Sequence, residues 1–266
     1  MPAHWLMARL GKRVLRPGGI ETTQWLLEHA AIAPEDDVIE LAPGLGRTAA
    51  MIRSRQPKSY VGVERDARAA RFAEHALAGA GFHDARILHA DAASVPLPDG
   101  SATLLVGEAM LSMQTAATKQ AIIREAHRLL RPGGRYVIHE LAVAPDDLDA
   151  ADVARIQSDL SSVIHVGVRI GTVRDWTGWL EQAGFTIDQV TTAPMHLLEP
   201  ARMIRDEGVA GAMRFIANAL RTRGAARRLR SVRRVFRRHR EHLCAVGVIA
   251  RRTAPTRVAG ANRSTL

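Results

Sequence analysis

Short apolar runs alternate along this chain with longer stretches in which apolar positions recur every three or four residues. The first pattern suits strands buried on both faces, the second suits amphipathic helices. Read in order, it predicts a helix over 20–31, a strand over 38–42, a helix over 47–55, a strand over 59–63, a helix over 66–80, and strands over 85–90 and 102–107. A helix over 115–130 and a strand over 135–141 follow, then helices over 149–162 and 173–183 and strands over 185–190 and 242–251. Strands that alternate with helices imply a parallel sheet covered on both faces. Arg131-Pro-Gly-Gly134 reads as the stop of the long helix and a turn into the fifth strand.

The stretch from 191 to 241 breaks the alternation, because hairpin connections take only about 2–5 residues. Val209, Met213, Ile216 and Leu220 place one helix there, and Leu229, Val232 and Phe236 place a second. Arg221 to Arg240 holds ten arginines and no acid, which accounts for the whole net charge of +10, since the remaining 27 basic residues balance 27 acidic ones. This second helix has an apolar stripe and a broad guanidinium face. It is either a solvated face or a site for an anionic ligand, an anionic membrane surface or nucleic acid. Phe236 is the only aromatic residue in the run, so base stacking has little support.

At 266 residues the chain is long enough for one large core. The expected organisation is one domain over 1–252, with a helical lid over 1–31, a helical insertion over 191–241 and a loose polar tail over 253–266. No apolar run approaches the ~18 residues of a spanning helix, and Met1-Pro-Ala-His-Trp5 opens no long apolar leader, so the expected location is the cytoplasm. Cys244 is the single cysteine, which excludes an internal disulfide and any multi-cysteine zinc or arsenic site. Its place in the last strand suggests a buried structural thiol.

Chemistry concentrates at Val38-Ile-Glu-Leu-Ala-Pro-Gly-Leu-Gly46, where an apolar strand runs into a glycine bend that opens a helix near Arg47. Small residues let the backbone approach a ligand, and the helix start points free N–H groups at it. Glu64 ends the next strand at a spacing that suits a carboxylate on ribose hydroxyls, and Asp91 ends the third, where an acid can meet an adenine amino group. The bend also fits the G-x-G-x-x-G/A pattern of NAD(P)-dependent oxidoreductases, so it does not choose among adenosyl cofactors. A non-catalytic binding module built on the arginine helix is a third possibility.

The ordered set Glu40-Leu-Ala-Pro-Gly-Leu-Gly46, Glu64, Asp91-Ala92, Pro96-Leu-Pro-Asp99 and Leu129-Leu-Arg-Pro-Gly-Gly134 resembles the class I S-adenosylmethionine-dependent methyltransferases, in particular the ubiquinone and menaquinone biosynthesis branch. The resemblance covers roughly residues 36 to 190, with Ala42 where the family usually has its first glycine. It implies a doubly wound, Rossmann-like α/β sheet of seven strands, parallel except for the last, with helical lid elements. It also implies S-adenosylmethionine as cofactor and methyl transfer to a small hydrophobic or partly anionic molecule.

On that resemblance the cofactor set is Gly19, Glu40, Ala42, Gly44, Gly46, Glu64, Arg65, Asp91, Ala92 and Glu108. Glu40 is implied to reach the methionine amino group, and the Arg16-Pro-Gly-Gly19 turn to offer N–H groups or Arg16 itself to its carboxylate. Met110, Leu111 and Met113 mark the start of an acceptor pocket. If the acceptor must lose a proton, strand order points to Glu108, His139 and Glu140 as bases, with His139 the natural one. His139-Glu140 starts a zinc-peptidase motif, but Val143 stands where its second histidine belongs, and no metal is expected.

Overall fold

The computed structural model describes residues 2–254 except 15, 196 and 197; the tail expected to be loose over 253–266 falls almost wholly outside them. Seven strands lie in the order β3-β2-β1-β4-β5-β8-β7, and a two-residue β6 (Gly171–Thr172) pairs with β5 beside this path. β1 (Asp37–Leu41), β2 (Ser59–Glu64), β3 (Arg86–His89), β4 (Ala102–Glu108) and β5 (Leu130–Val143) are parallel, whereas β8 (Leu243–Arg252) runs antiparallel to both β5 and β7 (Phe185–Pro194). The order reverses between β1 and β4, the crevice where open α/β sheets take their ligands.

Three apolar clusters divide the work. One face of the sheet packs Ile39, Leu105 and Ile138 against α5 (Ala116–Leu129) and α7 (Val173–Gln182). The other packs Val38, Leu104 and Val137 against α2 (Ile20–His29), α3 (Arg47–Arg53) and α4 (Ala67–Gly79). The third joins α1 (Ala3–Arg9), α6 (Ala150–Ile164), α8 (Pro200–Arg221) and α9 (Ala225–Arg238) with Leu141 and Val143, near the end of β5. Central strands buried on both faces explain why their sequence reads as unbroken apolar runs. Side-chain caps fix several helix starts: Asp66 accepts from Arg68 and Ala69, Thr115 from Thr118, and Thr172 and Asp175 form a capping box on α7.

Some boundaries differ from the sequence pattern. Residues 131–134 do not form a separate turn; they bulge out within β5, between the Ala102–Leu130 and Leu104–Arg135 pairs. β7 runs on to Pro194 because Thr191–Pro194 pair with Cys244–Gly247, so the insertion starts later than residue 191. α8 breaks at Gly208, where φ is 72°. Cys244 lies in β8, half-buried, and burial pushes its thiol up to about 11. No helix among the described residues is long and apolar enough to cross a membrane.

Gly46 caps α3 with φ at 71°, and a Cβ there would lie 3.0 Å from Ala76 Cβ and 3.2 Å from Ala73 Cα, on α4. Left-handed backbone costs an L residue about 1–2 kcal/mol, to which this crowding adds. Gly46→Ala is therefore expected to lower unfolding free energy by at least about 1 kcal/mol in a urea titration; an unchanged midpoint contradicts the tight α3–α4 approach.

Candidate active site

At the β1/β4 crevice a cleft of about 430 Å³ opens over the strand ends. Its walls include Glu40, Ala42, Gly44, Leu45 and Arg47 from the β1–α3 bend, Glu64 and Arg65 from the end of β2, Asp91 and Ala92 from beyond β3, and Glu108 from the end of β4. Eight of the ten expected cofactor residues thus surround one space. A Cβ on Gly44 would meet nothing nearer than 3.8 Å, so the bend leaves an open cradle. Ala42 holds φ at 54°, in the left-handed region that favours glycine.

Two expected residues do not face this space. Gly19 donates its N–H to Pro17 O, and the place of its missing Cβ is filled by the Arg202 guanidinium, so it is a packing point between α2 and α8. Gly46 is turned toward α4, as above. Arg16, by contrast, reaches the cleft.

Glu108 is the hub of the floor. Its carboxylate accepts from Arg16 Nη1 at 2.7 Å, from Thr23 Oγ1 at 2.6 Å and from Thr48 Oγ1, and His139 Nδ1 lies 2.8 Å away. Burial alone would raise its pKa, but the Arg16 charge and the hydrogen bonds from His139 and Thr23 prevail and bring it down to about 2. Glu40 behaves oppositely. It is 3% exposed, and burial, aided by the neighbouring carboxylates Glu108 and Glu64, lifts it to about 8 against the opposing Tyr60 hydrogen bond at 2.6 Å and the Arg16 charge. The cleft floor therefore sets Glu108, a permanent carboxylate, near Glu40, which is largely protonated at neutral pH.

The expected bases are corrected by this geometry. Glu108 is too weak a base at about 2, and its oxygens are committed to structure. His139 is fully buried and absent from the cleft wall; with Nδ1 donating to Glu108, its Nε2 is sealed without a partner. Glu140 is buried as well, accepting from the backbone of Met110, Leu111 and Ser112 and from Ser112 Oγ, which locks the loop after β4. Met110 and Met113 do line the cleft, whereas Leu111 is buried in the core.

Periodicity alone gave no sign of His4, Trp5, Arg13, Gln114 and Val166, which also line the cleft. His4 and Trp5 arrive because α1 folds over the strand ends, a long-range contact with no local sequence signal. Burial lowers the His4 pKa, and its Nδ1 is enclosed without a partner. The outer polar walls are tied by local bonds: Glu64 accepts from the Gly44 and Asp66 N–H groups, and Asp91 caps Ala93 and sits 3.6 Å from Arg65.

A family model described as a methyltransferase domain matches residues 38–134. An uncharacterized protein of Haemophilus influenzae is 31% identical over 219 residues, 82% of this chain and 85% of that one. An arsenite methyltransferase of Halobacterium salinarum is 26% identical over 170 residues, 62% of this chain but 40% of the relative. In shape the chain is similar to geranyl diphosphate methyltransferase in complex with S-adenosylmethionine, with a TM-score of 0.64, 17% identity and coverage of 88% of this chain and 85% of that one.

Glu108→Gln leaves the Arg16 charge buried without its partner, a change that costs about 3–5 kcal/mol. Because the folded carboxyl sits at about 2, below its ordinary 4.5, its stabilisation is complete above pH 4.5 and fades as pH falls through 2. Chemical denaturation at pH 7 is expected to show the loss, with the variant converging on wild type toward pH 2; a constant difference across that window contradicts the Glu108 assignment.

Proposed function

The chain belongs to the class I S-adenosylmethionine-dependent methyltransferases, and from that premise we propose that it methylates a small, partly hydrophobic and partly anionic acceptor at the outer end of this cleft. The observation that carries the reading is the convergence of Glu40, Gly44, Glu64, Asp91 and Glu108 on one open space beside the glycine bend. Family membership makes S-adenosylmethionine the cofactor, and the residues suit it: the Gly44 cradle leaves room for backbone approach, and Glu40 is a buried acid whose carboxyl meets only the Tyr60 hydroxyl among the described side chains. When bound, the cofactor supplies an electrophilic methyl group on a cationic sulfur.

The chain's own residues then divide the tasks. Glu40 takes the amino group of the methionine portion, and Arg16, held through Nη1 by Glu108, turns its other N–H groups to the carboxylate. Glu64 is set for the ribose hydroxyls and Asp91 for the purine amino group. α1, backed by the helical insertion, folds over the strand ends as a lid, which excludes water and aligns the acceptor, the two demands of an in-line displacement; no described residue of the insertion itself lines the cleft. Trp5, Met113 and Val166 supply apolar contact, and Arg13 supplies a positive charge for an anionic substituent. The arsenite of the archaeal relative is not carried over, because a thiol-seeking acceptor calls for several cysteines and Cys244 is the only one, outside the cleft wall.

Where the acceptor must lose a proton, His4 replaces His139 as the base. It lines the cleft, and burial keeps its ring neutral near pH 7. In a screen of phenolic, amine and carboxylate acceptors with labelled methyl groups, His4→Ala is expected to slow turnover by about a hundredfold while cofactor affinity holds; unchanged turnover removes His4 from the role.

Calorimetry and Trp5 fluorescence test the cofactor site. An ammonium beside Glu40 favours its ionised form, so at pH 7 binding is expected to release a proton into the buffer, read from the dependence of heat on buffer ionisation. Glu40→Gln is expected to bind more weakly and release none. Absence of binding by the wild-type protein sinks the assignment, and binding without proton release sinks the role of Glu40.

A further inference from the structure

The helical insertion carries a surface that methyl transfer does not use. On α8, Val209, Met213, Ile216 and Leu220 fall within one narrow arc of the helix and are 66%, 64%, 53% and 75% exposed. The spacing that predicts this helix would ordinarily mark its buried face, yet the core-facing residues are instead Met203, Ala212, Phe215 and Ala219. The exposed stripe forms one wall of a groove of about 330 Å³, whose other wall is α9 through Ala226, Leu229, Arg230 and Arg233.

The charge beside it is of one sign. Arg223, in the turn before α9, and Arg227, Arg230 and Arg234 along its exposed side follow each other next to the groove, and none pairs with a carboxylate among the described residues. Arginines elsewhere on the helix are engaged differently: Arg233 and Arg237 meet Glu199, and Arg238 meets Asp159. Val232 and Phe236 dock the opposite side of α9 into the core.

We propose that this α8–α9 face is a docking surface for an anionic phospholipid bilayer, with the α8 stripe entering the headgroup boundary and the four arginines meeting lipid phosphates. Apolar side chains flanked by unpaired guanidinium groups are what such an interface rewards, since the first gain burial and the second gain the surface potential. A second copy of the chain is a poorer partner, because a two-fold contact through this face sets the same arginines against each other. Nucleic acid offers charge but nothing for the stripe, and Phe215 and Phe236 are buried, leaving no aromatic platform. The proposal stands apart from the methyl-transfer reading: no described residue of α8 or α9 lines the cleft, and docking needs no bound cofactor.

Co-sedimentation of the full chain with vesicles tests it, comparing pure phosphatidylcholine with mixtures holding about one-third phosphatidylglycerol. Partition onto the anionic vesicles is expected to be at least about tenfold stronger and to weaken as salt rises from about 50 to about 300 mM. Arg227→Gln/Arg230→Gln/Arg234→Gln is expected to lose on the order of a hundredfold, and Met213→Asp/Leu220→Asp about tenfold or more. All five positions of change are exposed, and matched urea midpoints confirm that the variants fold. Equal partition onto both vesicle types, no partition, or insensitivity to Met213→Asp/Leu220→Asp overturns the proposal. So does a dimer in light scattering that this pair of changes dissolves, or tighter binding to duplex DNA than to anionic vesicles.

Discussion

A single buried carboxylate ties the cleft together. Glu108 ends β4, and through it the segment before α2, α2 itself, the first turn of α3 and β5 are all held to one point by Arg16, Thr23, Thr48 and His139. A buried charge survives only when it is paired and hydrogen-bonded, so these partners are an obligation rather than an embellishment. Satisfying it draws Arg16 across the crevice and fixes the N-terminal segment over the strand ends.

The same arrangement separates two acids by environment. Glu108, saturated with donors and beside a guanidinium, is held at about 2, whereas Glu40, buried with a phenol for company, rises to about 8. Pushing pKa values apart in this way lets one site contain several acids without mutual repulsion. It leaves Glu40 ready to ionise when a cation arrives. By the sign of its shift Glu40 costs stability as pH rises from 4.5 through 8, because the fold favours its protonated form. A bound ammonium would offset that cost, which links occupancy to charge.

Much of the scaffold was legible in the sequence because it rests on local rules. Central strands buried on two faces announce themselves as apolar runs, and capped amphipathic helices announce their starts. The cleft-lining strand ends, Glu40, Glu64, Asp91 and Glu108, followed from strand order alone. What escaped was orientation. His139 and Glu140 follow one another on β5 near the cleft in sequence logic, yet both are sealed, one against Glu108 and one around the Met110–Ser112 loop. Gly19 reads as a ligand turn and proves to be a seat for Arg202, 183 residues away in the chain. His4 and Trp5 enter the cleft through a tertiary contact that no spacing encodes. Periodicity likewise located α8 without revealing that its 209–220 stripe is uncovered, since a repeat shows that a face exists and not what lies against it.

Cleft and docking face therefore rest on different physics, one on buried, saturated charge and the other on exposed, unpaired charge beside apolar surface. The bend at Gly44 remains the point on which the chemistry turns. A crystal grown with S-adenosylhomocysteine gives the sharpest check. The nucleoside is expected across that bend, its sugar at Glu64, its purine near Asp91 and its amino group at Glu40. A nucleoside bound elsewhere, or a crevice that stays closed by its own side chains, contradicts the central claim.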